Sequence, residues 1–591
     1  MNVIYTIEAK CRDCYKCLRS CPVKAIKVER GALPHELHAR VVEERCILDG
    51  RCVLVCPQKA KRVRRDLERV QAMLARGEQL VASVAPSFPA AFPDLDPLQI
   101  PAALRRLGFV AVEETAVGAE LVSAEHARLM AETDRPLIAT SCPAIVNLVE
   151  RHHPEAIPFL APVVSPMIAH GRTLKRRYPD CKVVFVGPCV AKHQEIEVPG
   201  LAGAVDVVLT FEELREWLAS APADVQSAPP EPFDGPWPDY ARLFPVDGGL
   251  LRTVGVAPDL LSERTLVVSG IERCREMIEH FIAGGDLPQL VEMVACEGGC
   301  ISGPLNTVPE DQYARRRRVL AYAERQAKAQ AQARADGSPD GAPVAEPVDH
   351  NLLPREELRR DFVNRKQSLP EPDEATIRAI LARTGKTRPE DELNCGSCGY
   401  SSCRDKAIAV FHGMADPEMC IPYMRQRAES MSSLIVASTP NGVIVIDQDE
   451  IILDMNAAAE KMLRRPRHRC IGQKLEALIP PDNFRRVLRE KNLIRLEVDY
   501  PEFDLCTHQT IFWEKEQGVV IGILADRTEQ KKREQQLAKV REETLDKAQG
   551  VINKQMEVAQ KIAGLLGETT AETKVLLTKL MRVMREEGNG K

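Results

Sequence analysis

The sequence predicts a multidomain protein of mixed α/β and α+β class, and three observations carry the prediction. The length of 591 residues exceeds what one hydrophobic core usually holds. Strand-like runs at 80–85, 182–186 and 205–209 alternate with helical stretches, which is typical of an α/β domain. A second strand-rich segment precedes a charged helical tail. The expected regions are 1–66, 75–310, a charged linker at 311–385, 386–424, 425–530 and a helical signalling tail at 531–591.

Charge and hydropathy argue against two classes of protein. The net charge of −5 gives no reason to expect nucleic acid as a partner. No apolar run reaches the length of a membrane span, and the N-terminus lacks the basic and apolar segments of a secretory signal. We therefore expect a cytoplasmic protein with no membrane span.

The chain has 19 cysteines, an odd number, and most are separated from another cysteine by two or three intervening residues. Cysteines so close together seldom form a disulfide with each other, but their spacing suits the ligation of metal clusters. A cytosolic location would also keep the thiols reduced. The cysteine pattern therefore indicates metal binding rather than disulfides.

The first 66 residues contain two cysteine runs. The run Cys11-x2-Cys14-x2-Cys17-x3-Cys21-Pro22 has the spacing of bacterial ferredoxins, and a partner half follows at 46–57. The segment is identified as a ferredoxin-like domain with two clusters. By that family's spacing, one cluster is held by Cys11, Cys14, Cys17 and Cys56, and the other by Cys21, Cys46 and Cys52 with Asp49 as the fourth residue.

Asp49 stands where the ferredoxin family has a cysteine. A carboxylate is a harder ligand than a thiolate. We therefore expect either an Asp49-ligated [4Fe–4S] cluster or a labile [3Fe–4S] cluster. The alternative is that Asp49 is only a turn residue before Gly50 and that the second cluster is absent.

Four further cysteines lie in three short motifs within 75–310. Because long stretches of sequence separate them, they can converge only through a folded core, and four thiolates suit an iron–sulfur cluster. The alternative is four buried structural cysteines. The motifs are Thr140-Ser141-Cys142-Pro143, Gly187-Pro188-Cys189 with Lys192 and Glu195, and Cys296-Glu297-Gly298-Gly299-Cys300.

The order of these motifs resembles the catalytic-cluster domain of [FeFe]-hydrogenases, and the resemblance extends to 112–121 and to Gly248-Gly249. In that family the four matching cysteines hold a [4Fe–4S] cluster. The resemblance implies that Cys300 also bridges to a two-iron unit that carries CO and cyanide. It further implies that Lys192 donates a charge-assisted hydrogen bond to a cyanide. Dihydrogen chemistry at an H-cluster is therefore the expected activity of this region.

Two departures from the family bear on that activity. Ser141 occupies the position of a cysteine that relays protons in the family. A thiol, with a pKa of about 8.5, exchanges protons near neutral pH, whereas a serine hydroxyl is a far weaker acid. Gly187 stands where the family usually has methionine, which predicts an emptier pocket. We expect Ser141 to take the catalytic relay position and turnover to be slow.

A third cysteine group has the spacing Cys395-x2-Cys398-x4-Cys403-x16-Cys420. It resembles the small four-cysteine [4Fe–4S] domain of several redox-complex subunits. Four thiolates also suit zinc, which stays the alternative. The neighbouring cluster motifs favour iron.

Residues 425–530 resemble a PAS domain. The pattern is strand, turn, strand and helix, with a closing strand that runs into Asp526-Arg527-Thr528. Beyond it, apolar residues recur at helical spacing, which suits a dimeric coiled coil or packing against the same chain. These residues are Leu545, Ala548, Ile552, Met556, Ala559, Ile562 and Leu566.

Taken together, the motifs favour a sensory [FeFe]-hydrogenase-like protein. It would oxidise dihydrogen or reduce protons slowly, or sense dihydrogen or redox state, and couple this through about four [4Fe–4S] clusters to the PAS module. Expected partners are dihydrogen and protons, a redox protein such as ferredoxin, a separate kinase or phosphatase, and a second copy through the C-terminal helix. The alternatives are a non-catalytic electron-transfer or redox-sensing protein without the two-iron unit, and a metabolic hydrogenase subunit.

Overall fold

A computed structural model describes residues 2–30, 37–256, 263–336, 346–563 and 570–586. The chain divides into two compact units, Met1–Tyr423 and Met424–Lys591. Among the described residues, no helix combines the length and the apolar character that a membrane crossing requires.

Two antiparallel strand pairs hold the N-terminal cysteine runs. The first strand pairs with the fourth and the second with the third. Ile4, Ile26 and Val63 are buried between them and form a small core. The two short helices carry Cys17 and Cys52, which are both buried. The elements are β1 (Ile4–Thr6), α1 (Lys16–Ser20), β2 (Ile26–Arg30), β3 (Leu37–Val41), α2 (Arg51–Leu54) and β4 (Lys61–Val63).

Two parallel sheets frame the central domain. Their strand orders are β6-β5-β8-β9 and β10-β11-β7, and every pairing is parallel. Every residue of β5, β6 and β9 is buried, as expected for strands covered on both faces. The strands are β5 (Leu80–Val84), β6 (Ala111–Glu114), β7 (Leu137–Ile138), β8 (Lys182–Gly187), β9 (Val207–Thr210), β10 (Thr265–Ser269) and β11 (Leu290–Val294).

Helices connect and cover these strands, and the predicted strand runs at 80–85, 182–186 and 205–209 are confirmed as β5, β8 and β9. The helices up to the last strand of the central domain are α3 (Leu67–Ala75), α4 (Phe88–Ala91), α5 (Gln99–Arg106), α6 (Ala116–Glu132), α7 (Pro143–His152), α8 (Pro166–Arg177), α9 (Lys192–Glu195), α10 (Phe211–Ser220), α11 (Ala223–Gln226), α12 (Gly249–Val254) and α13 (Ile271–Ala283).

The segment predicted as a charged linker packs along the central domain. The helix α14 (Gln312–Asp336) buries Tyr322, whose hydroxyl donates to Glu114 at 2.9 Å. The linker residues 337–345 lie outside the described residues. Farther along, the end of α15 (Arg355–Leu358) lies beside the segment that precedes α8. There Val164 N donates to Leu358 O at 2.8 Å. Apolar and ionic contacts spaced along this segment therefore fix its path, although its composition is highly charged.

Three helices form the small four-cysteine region: α16 (Glu374–Ala382), α17 (Cys403–Phe411) and α18 (Ile421–Ser438). The helix α17 begins at Cys403 behind a capping box, in which Ser402 Oγ accepts from Asp405 N. Cys403 and the residue before α18, Cys420, therefore lie at helix starts.

The second unit is built on a five-stranded antiparallel sheet in the order β13-β12-β16-β15-β14. The burial of β12 alternates along the strand, which is typical of a sheet with one buried face. Its buried side includes Ile444, Ile511 and Leu524. The elements are β12 (Gly442–Ile446), β13 (Ile452–Met455), α19 (Ala457–Leu463), α20 (Arg467–Cys470), α21 (Asp482–Glu490), β14 (Ile494–Tyr500), β15 (Leu505–Glu514) and β16 (Val519–Asp526).

The tail is helical as predicted, with α22 (Thr528–Ala563) and α23 (Thr570–Glu586). The junction is anchored, because Thr528 N donates to Asp526 Oδ1 and Arg527 N donates to Cys506 O, both at 2.8 Å. Of the predicted apolar series, Leu566 lies outside the described residues.

Candidate functional site

The carboxyl ends of five parallel strands meet at one cavity in the central domain. Loops at this edge of parallel sheets commonly build ligand sites. Both sheets contribute, so side chains that are distant in sequence converge there. The cavity-lining residues that follow β5, β6, β7, β8 and β11 are, in that order, Ser87, Thr115, Ser141 with Cys142, Cys189, and Cys296.

All four predicted central cysteines, Cys142, Cys189, Cys296 and Cys300, line this cavity. None is in a disulfide. Burial, together with the neighbouring thiols, raises the pKa of Cys296 and Cys300, and it raises the pKa of Cys189 to about 11. Four cysteines gathered in one cavity suit a cationic metal centre, because the metal would bind them as thiolates.

Three buried polar atoms at the cavity have no hydrogen-bond partner among the described residues. They are Asp49 Oδ2, Ser87 Oγ and Ser141 Oγ. The cavity has a volume of about 110 Å³, several times what one water molecule needs. An unpaired buried polar atom costs about 1–3 kcal/mol. The unpaired atoms therefore indicate that a bound group completes this site.

Lys192 lies in the cavity wall within a buried charge triad. Its Nζ donates to Ser165 Oγ and to Glu195 Oε2, each at 2.8 Å. On the other side, Arg360 Nη1 donates to Glu195 Oε1 at 3.3 Å. The two cations and one carboxylate leave the triad with an excess positive charge. Lys192 is the member of the triad that lines the cavity, and its ammonium group can donate a charge-assisted hydrogen bond to an anionic ligand there.

Glycines allow the backbone around the cavity to pack closely. A Cβ on Gly299 would lie 2.3 Å from Pro245 O, and one on Gly249 would lie 2.1 Å from Leu243 O.

At Gly187 the expected emptier pocket is not found. The ring of Phe185 fills the volume, and its Cε1 would lie 2.6 Å from a Cβ on Gly187.

In the structure, three cysteines of the first predicted ligand set, Cys11, Cys14 and Cys17, lie near one another. Burial raises the pKa of Cys17, with smaller contributions from the neighbouring Cys11 and Cys14 thiols. Cys14 Sγ lies 3.8 Å from Gln58 Oε1, in the turn that follows Cys56. Cys56 Sγ itself accepts a hydrogen bond from Ala60 N at 3.2 Å.

The three cysteines of the second predicted set are buried, and all four of its members influence one another electrostatically. Burial raises the pKa of Cys21 to about 11 and that of Cys46 to about 12, and Asp49 adds to both increases. The pKa of Cys52 is raised by burial and then by Cys46 and Asp49. Burial raises the pKa of Asp49 itself to about 6. Asp49 therefore shares one buried space with the three thiols.

Asp49 also belongs to the wall of the central cavity. It lines that cavity, and its charge contributes to the raised pKa of Cys296. The helix that begins after Cys142 holds the same loop, because Arg151 Nη1 donates to Cys46 O at 2.6 Å. The second ferredoxin-like set and the four central cysteines are thus direct neighbours.

The third predicted set, Cys395, Cys398, Cys403 and Cys420, lines a separate cavity of about 30 Å³. Lys386 Nζ donates to Cys420 Sγ at 3.2 Å, and buried Lys406 donates to Pro417 O at 2.8 Å. Hydrogen bonds from Ser397 lower the pKa of Cys395. The two ammonium groups place positive charge beside the four cysteines.

The sequence reasoning missed several cavity residues, including Ser87, Thr115 and Glu292. Glu292 is buried and holds the Gly248-Gly249 turn, because its carboxylate accepts from Gly248 N and Leu251 N, each at 3.1 Å. Ser87 follows the predicted strand at 80–85, whereas Thr115 follows β6, a strand that the sequence analysis did not predict. The position at the carboxyl end of a predicted strand was the signal that would have identified Ser87.

Family models match four parts of the chain. A model described as iron only hydrogenase large subunit, C-terminal domain, matches 78–304. A 4Fe-4S dicluster domain matches 10–60, a putative Fe-S cluster domain matches 391–422, and a PAS fold matches 430–515. These matches confirm the predicted kinds of domain.

Curated relatives include two hydrogenase subunits and an assembly factor. The NADP-reducing hydrogenase subunit HndD of Solidesulfovibrio fructosivorans is 26% identical over 54% of this chain and 67% of the relative. The periplasmic [Fe] hydrogenase large subunit of Nitratidesulfovibrio vulgaris is 27% identical, over 51% of this chain and 86% of the relative. The cytosolic Fe-S cluster assembly factor NAR1 of Yarrowia lipolytica is 27% identical, over 42% and 60%.

Solved structures resemble two parts of the chain. An [FeFe]-hydrogenase studied for oxygen inactivation of its H cluster has 17% sequence identity and a TM-score of 0.39, and the match covers 51% of this chain and 100% of that one. The PAS domain of an HTR-like protein from Haloarcula marismortui has 12% identity and a TM-score of 0.16, over 18% and 96%.

Proposed function

We propose a sensory role for this chain, which is a hydrogenase-like iron–sulfur protein with a PAS domain. In this proposal the central cavity reads dihydrogen in the cytoplasm, with slow oxidation of dihydrogen or slow reduction of protons. Electrons pass through the iron–sulfur sites, and the PAS module and its helix relay the state. The observation that carries the proposal is that four cysteines share one roomy cavity with Lys192 and three unpaired polar atoms.

The residues present fit the cofactors that this role requires. Cys142, Cys189, Cys296 and Cys300 would hold a [4Fe–4S] cluster, and Cys300 would also join it to a two-iron unit with CO and cyanide ligands. When bound, such a unit supplies the interconversion of dihydrogen with two protons and two electrons. Lys192 would face an anionic cyanide. The ammonium group of Lys192, which donates to Ser165 and Glu195, supports this role because it can also donate to an anion.

Ser141 limits the rate in this proposal. Its hydroxyl lies at the cavity and lacks a partner among the described residues, so it is available to a bound group. A serine hydroxyl is a far weaker acid than a thiol and passes protons poorly without help. Slow turnover suits a sensor, which needs a change of state rather than flux.

The ferredoxin-like region would connect the cavity to a redox partner such as ferredoxin. Asp49 belongs to both the second ligand set and the cavity wall, which supports electron transfer between neighbouring clusters. With the small four-cysteine region, the chain would hold about four clusters. The Asp49 site would hold an Asp-ligated [4Fe–4S] or a [3Fe–4S] cluster.

The second unit would pass on the signal by binding another protein chain. The helix α22 exposes the apolar side chains of Leu537, Val540, Val551 and Val558. An exposed apolar stripe supports pairing with a second copy. A separate kinase or phosphatase would then respond to the dimer.

A second candidate is a non-catalytic iron–sulfur protein. The similarity to a cytosolic Fe-S cluster assembly factor favours it, together with Ser141 in place of the relay cysteine. In that case the four central cysteines hold only a [4Fe–4S] cluster, and the protein transfers electrons or senses redox state.

Infrared spectroscopy on full-length protein co-produced with hydrogenase maturation factors separates the two candidates. The sensory proposal predicts CO and cyanide stretching bands and slow uptake of dihydrogen. Iron–sulfur absorption without those bands would establish the non-catalytic role instead. The variant Cys181→Ala should show the same spectrum as the wild type, since Cys181 is a buried cysteine of the same domain that does not line the cavity.

A further inference from the structure

A row of four buried polar side chains leads away from the cavity. Thr115 lines the cavity, and its Oγ1 lies 2.7 Å from Ser83 Oγ. Ser83 Oγ lies 2.8 Å from His170 Nδ1, and His170 Nε2 lies 3.3 Å from Glu113 Oε2. Ser83, His170 and Glu113 are fully buried, and Thr115 is 3% exposed. Each side chain therefore connects to the next through a hydrogen bond in an apolar interior.

The outer end of the row reaches solvent at Arg177 and Tyr178. Arg177 Nη1 donates to Glu113 Oε1 at 2.6 Å, and the Tyr178 hydroxyl donates to the same oxygen at 3.2 Å. The Arg177 side chain is 29% exposed. Burial opposes ionisation of Glu113, but His170 and Arg177 outweigh it and lower the pKa of this carboxyl. The row thus runs from the cavity to a partly exposed edge.

The packing of three elements holds the row in place. Ser83 on β5 and Glu113 on β6 are register partners in the parallel sheet, and α8 supplies His170 against that face. Gly118 of α6 allows this approach, because a Cβ there would lie 2.6 Å from His170 N and 2.2 Å from Pro166 O. The alignment therefore depends on close packing of α6 on α8.

The neighbouring carboxylate, Glu114, belongs to a network of another kind. It accepts from Arg242 Nη2 at 2.6 Å and from the Tyr322 hydroxyl at 2.9 Å. These three side chains include no imidazole, and the arginine is not deprotonated in proteins, so their network offers no chain of groups that relay protons. In the row at Glu113, hydroxyls, an imidazole and a carboxylate can each accept a proton and release one.

We propose that Thr115, Ser83, His170 and Glu113 form a proton-transfer route between the cavity and solvent. This inference rests on the proposed dihydrogen chemistry. Oxidation of one dihydrogen molecule gives two protons and two electrons. The electrons leave through the iron–sulfur sites to a ferredoxin-type acceptor, and each proton leaves along the row. The route takes over the task for which Ser141 is poorly suited.

Each transfer conserves protons. A proton from the cavity binds Thr115 Oγ1 while the hydroxyl proton of Thr115 moves to Ser83. Ser83 passes its own proton to His170 Nδ1, and His170 Nε2 releases one to Glu113. Because Glu113 is itself fully buried, it passes the proton to the Tyr178 hydroxyl, and Tyr178 releases its own hydroxyl proton to solvent. The relay leaves His170 protonated at Nδ1 instead of Nε2. Proton exchange with water during local opening, in which Nδ1 loses a proton and Nε2 gains one, restores the starting tautomer.

The first test measures dihydrogen oxidation in matured full-length protein. Thr115→Val keeps the shape of the side chain but removes the hydroxyl, and we expect about 10²-fold slower oxidation with unchanged CO and cyanide bands. Thr115→Ser restores a hydroxyl and should recover the rate. Tyr322→Phe, which alters only the network at Glu114, is the matched control and should retain the wild-type rate. Unchanged oxidation in Thr115→Val overturns the route and leaves the proposed function in place.

The second test needs no dihydrogen chemistry. Full-length protein with clusters but no two-iron unit is labelled with ¹⁵N at histidine, and exchange of the His170 Nε2 proton with D₂O is followed by NMR. Because Glu113 is the link to solvent, Glu113→Gln should slow this exchange at least about tenfold, since exchange then requires local opening. Thr115→Val, on the cavity side, should not slow it.

Equal exchange in wild type and Glu113→Gln overturns the route, whatever the infrared result. Lack of CO and cyanide bands in wild type would overturn the proposed function, and the exchange data would still decide on the route.

Discussion

The central cavity and the small four-cysteine cavity are each lined by four cysteines, yet they differ in volume, in unpaired polar atoms and in the contacts of the thiols. The central cavity has about 110 Å³, whereas the small one has about 30 Å³. In the central cavity Asp49, Ser87 and Ser141 have unpaired polar atoms among the described residues. At the small site Lys386 donates directly to Cys420 Sγ.

The difference supports the proposal that the central cavity binds more than a cluster, whereas the small cavity binds a cluster alone. A site for electron transfer needs four thiolates and groups that set their potential, which Lys386 and Lys406 can supply. A site for chemistry also needs free volume, unpaired polar groups and a path for protons. Of these two sites, the central cavity has the larger free volume and the unpaired polar atoms, and the proposed row from Thr115 to Glu113 would supply the path for protons.

The largest expected effect concerns the thiol that would bridge the two iron centres. We expect Cys300→Ala to remove the CO and cyanide bands and all dihydrogen oxidation, because no other thiol of that cavity lies in its place. Infrared spectra and iron content measure this. Loss of the bands in the control Cys181→Ala as well would mean that any buried cysteine of the domain has the same effect.

The second effect concerns the weak proton relay. We expect Ser141→Cys to raise dihydrogen oxidation about 10²-fold. A thiol titrates much closer to neutral pH than a hydroxyl does, so it would add a faster proton path beside the row from Thr115 to Glu113. Turnover of matured protein gives the measurement. The control is Ser123→Cys, which changes a buried, unpaired serine of α6 that does not line the cavity. An unchanged rate in Ser141→Cys would contradict the assignment of slow turnover to this residue.

The third effect is at the boundary between the ferredoxin-like region and the cavity. We expect Asp49→Cys to convert the second ferredoxin-like site into a stable [4Fe–4S] centre, because thiolate is the softer ligand. EPR and iron analysis before and after air exposure check this. If the variant and the wild type lose iron equally, Asp49 is not a ligand.

The smallest effect concerns the small site. Lys386→Met removes a positive charge beside Cys420, so the reduced cluster loses stabilisation of about 1 kcal/mol, equivalent to a potential about 40 mV lower. Redox titration followed by EPR measures the shift. Arg378→Met, which removes an exposed cation of α16 in the same region, should leave the potential unchanged. Equal shifts in both variants would indicate a general charge effect.

Local spacing made the kinds of domain and the four central cysteines predictable. Each cysteine motif follows a strand, so the fold brings the thiols to one edge. The proton route was not predictable, because Ser83 and His170 are 87 residues apart and become neighbours only through packing. The same holds for Phe185 beside Gly187, and for Arg360, which reaches Glu195 from a segment whose composition predicts a linker.

Dihydrogen titration of matured full-length protein tests the central claim most directly. The clusters are followed by EPR and the CO and cyanide bands by infrared spectroscopy as the pressure of dihydrogen rises. Sensing at the cavity predicts that dihydrogen alone shifts the bands and reduces the clusters, and that Cys300→Ala abolishes both responses. Clusters that a chemical reductant reduces but dihydrogen leaves oxidised, in protein that shows the bands, would contradict the claim.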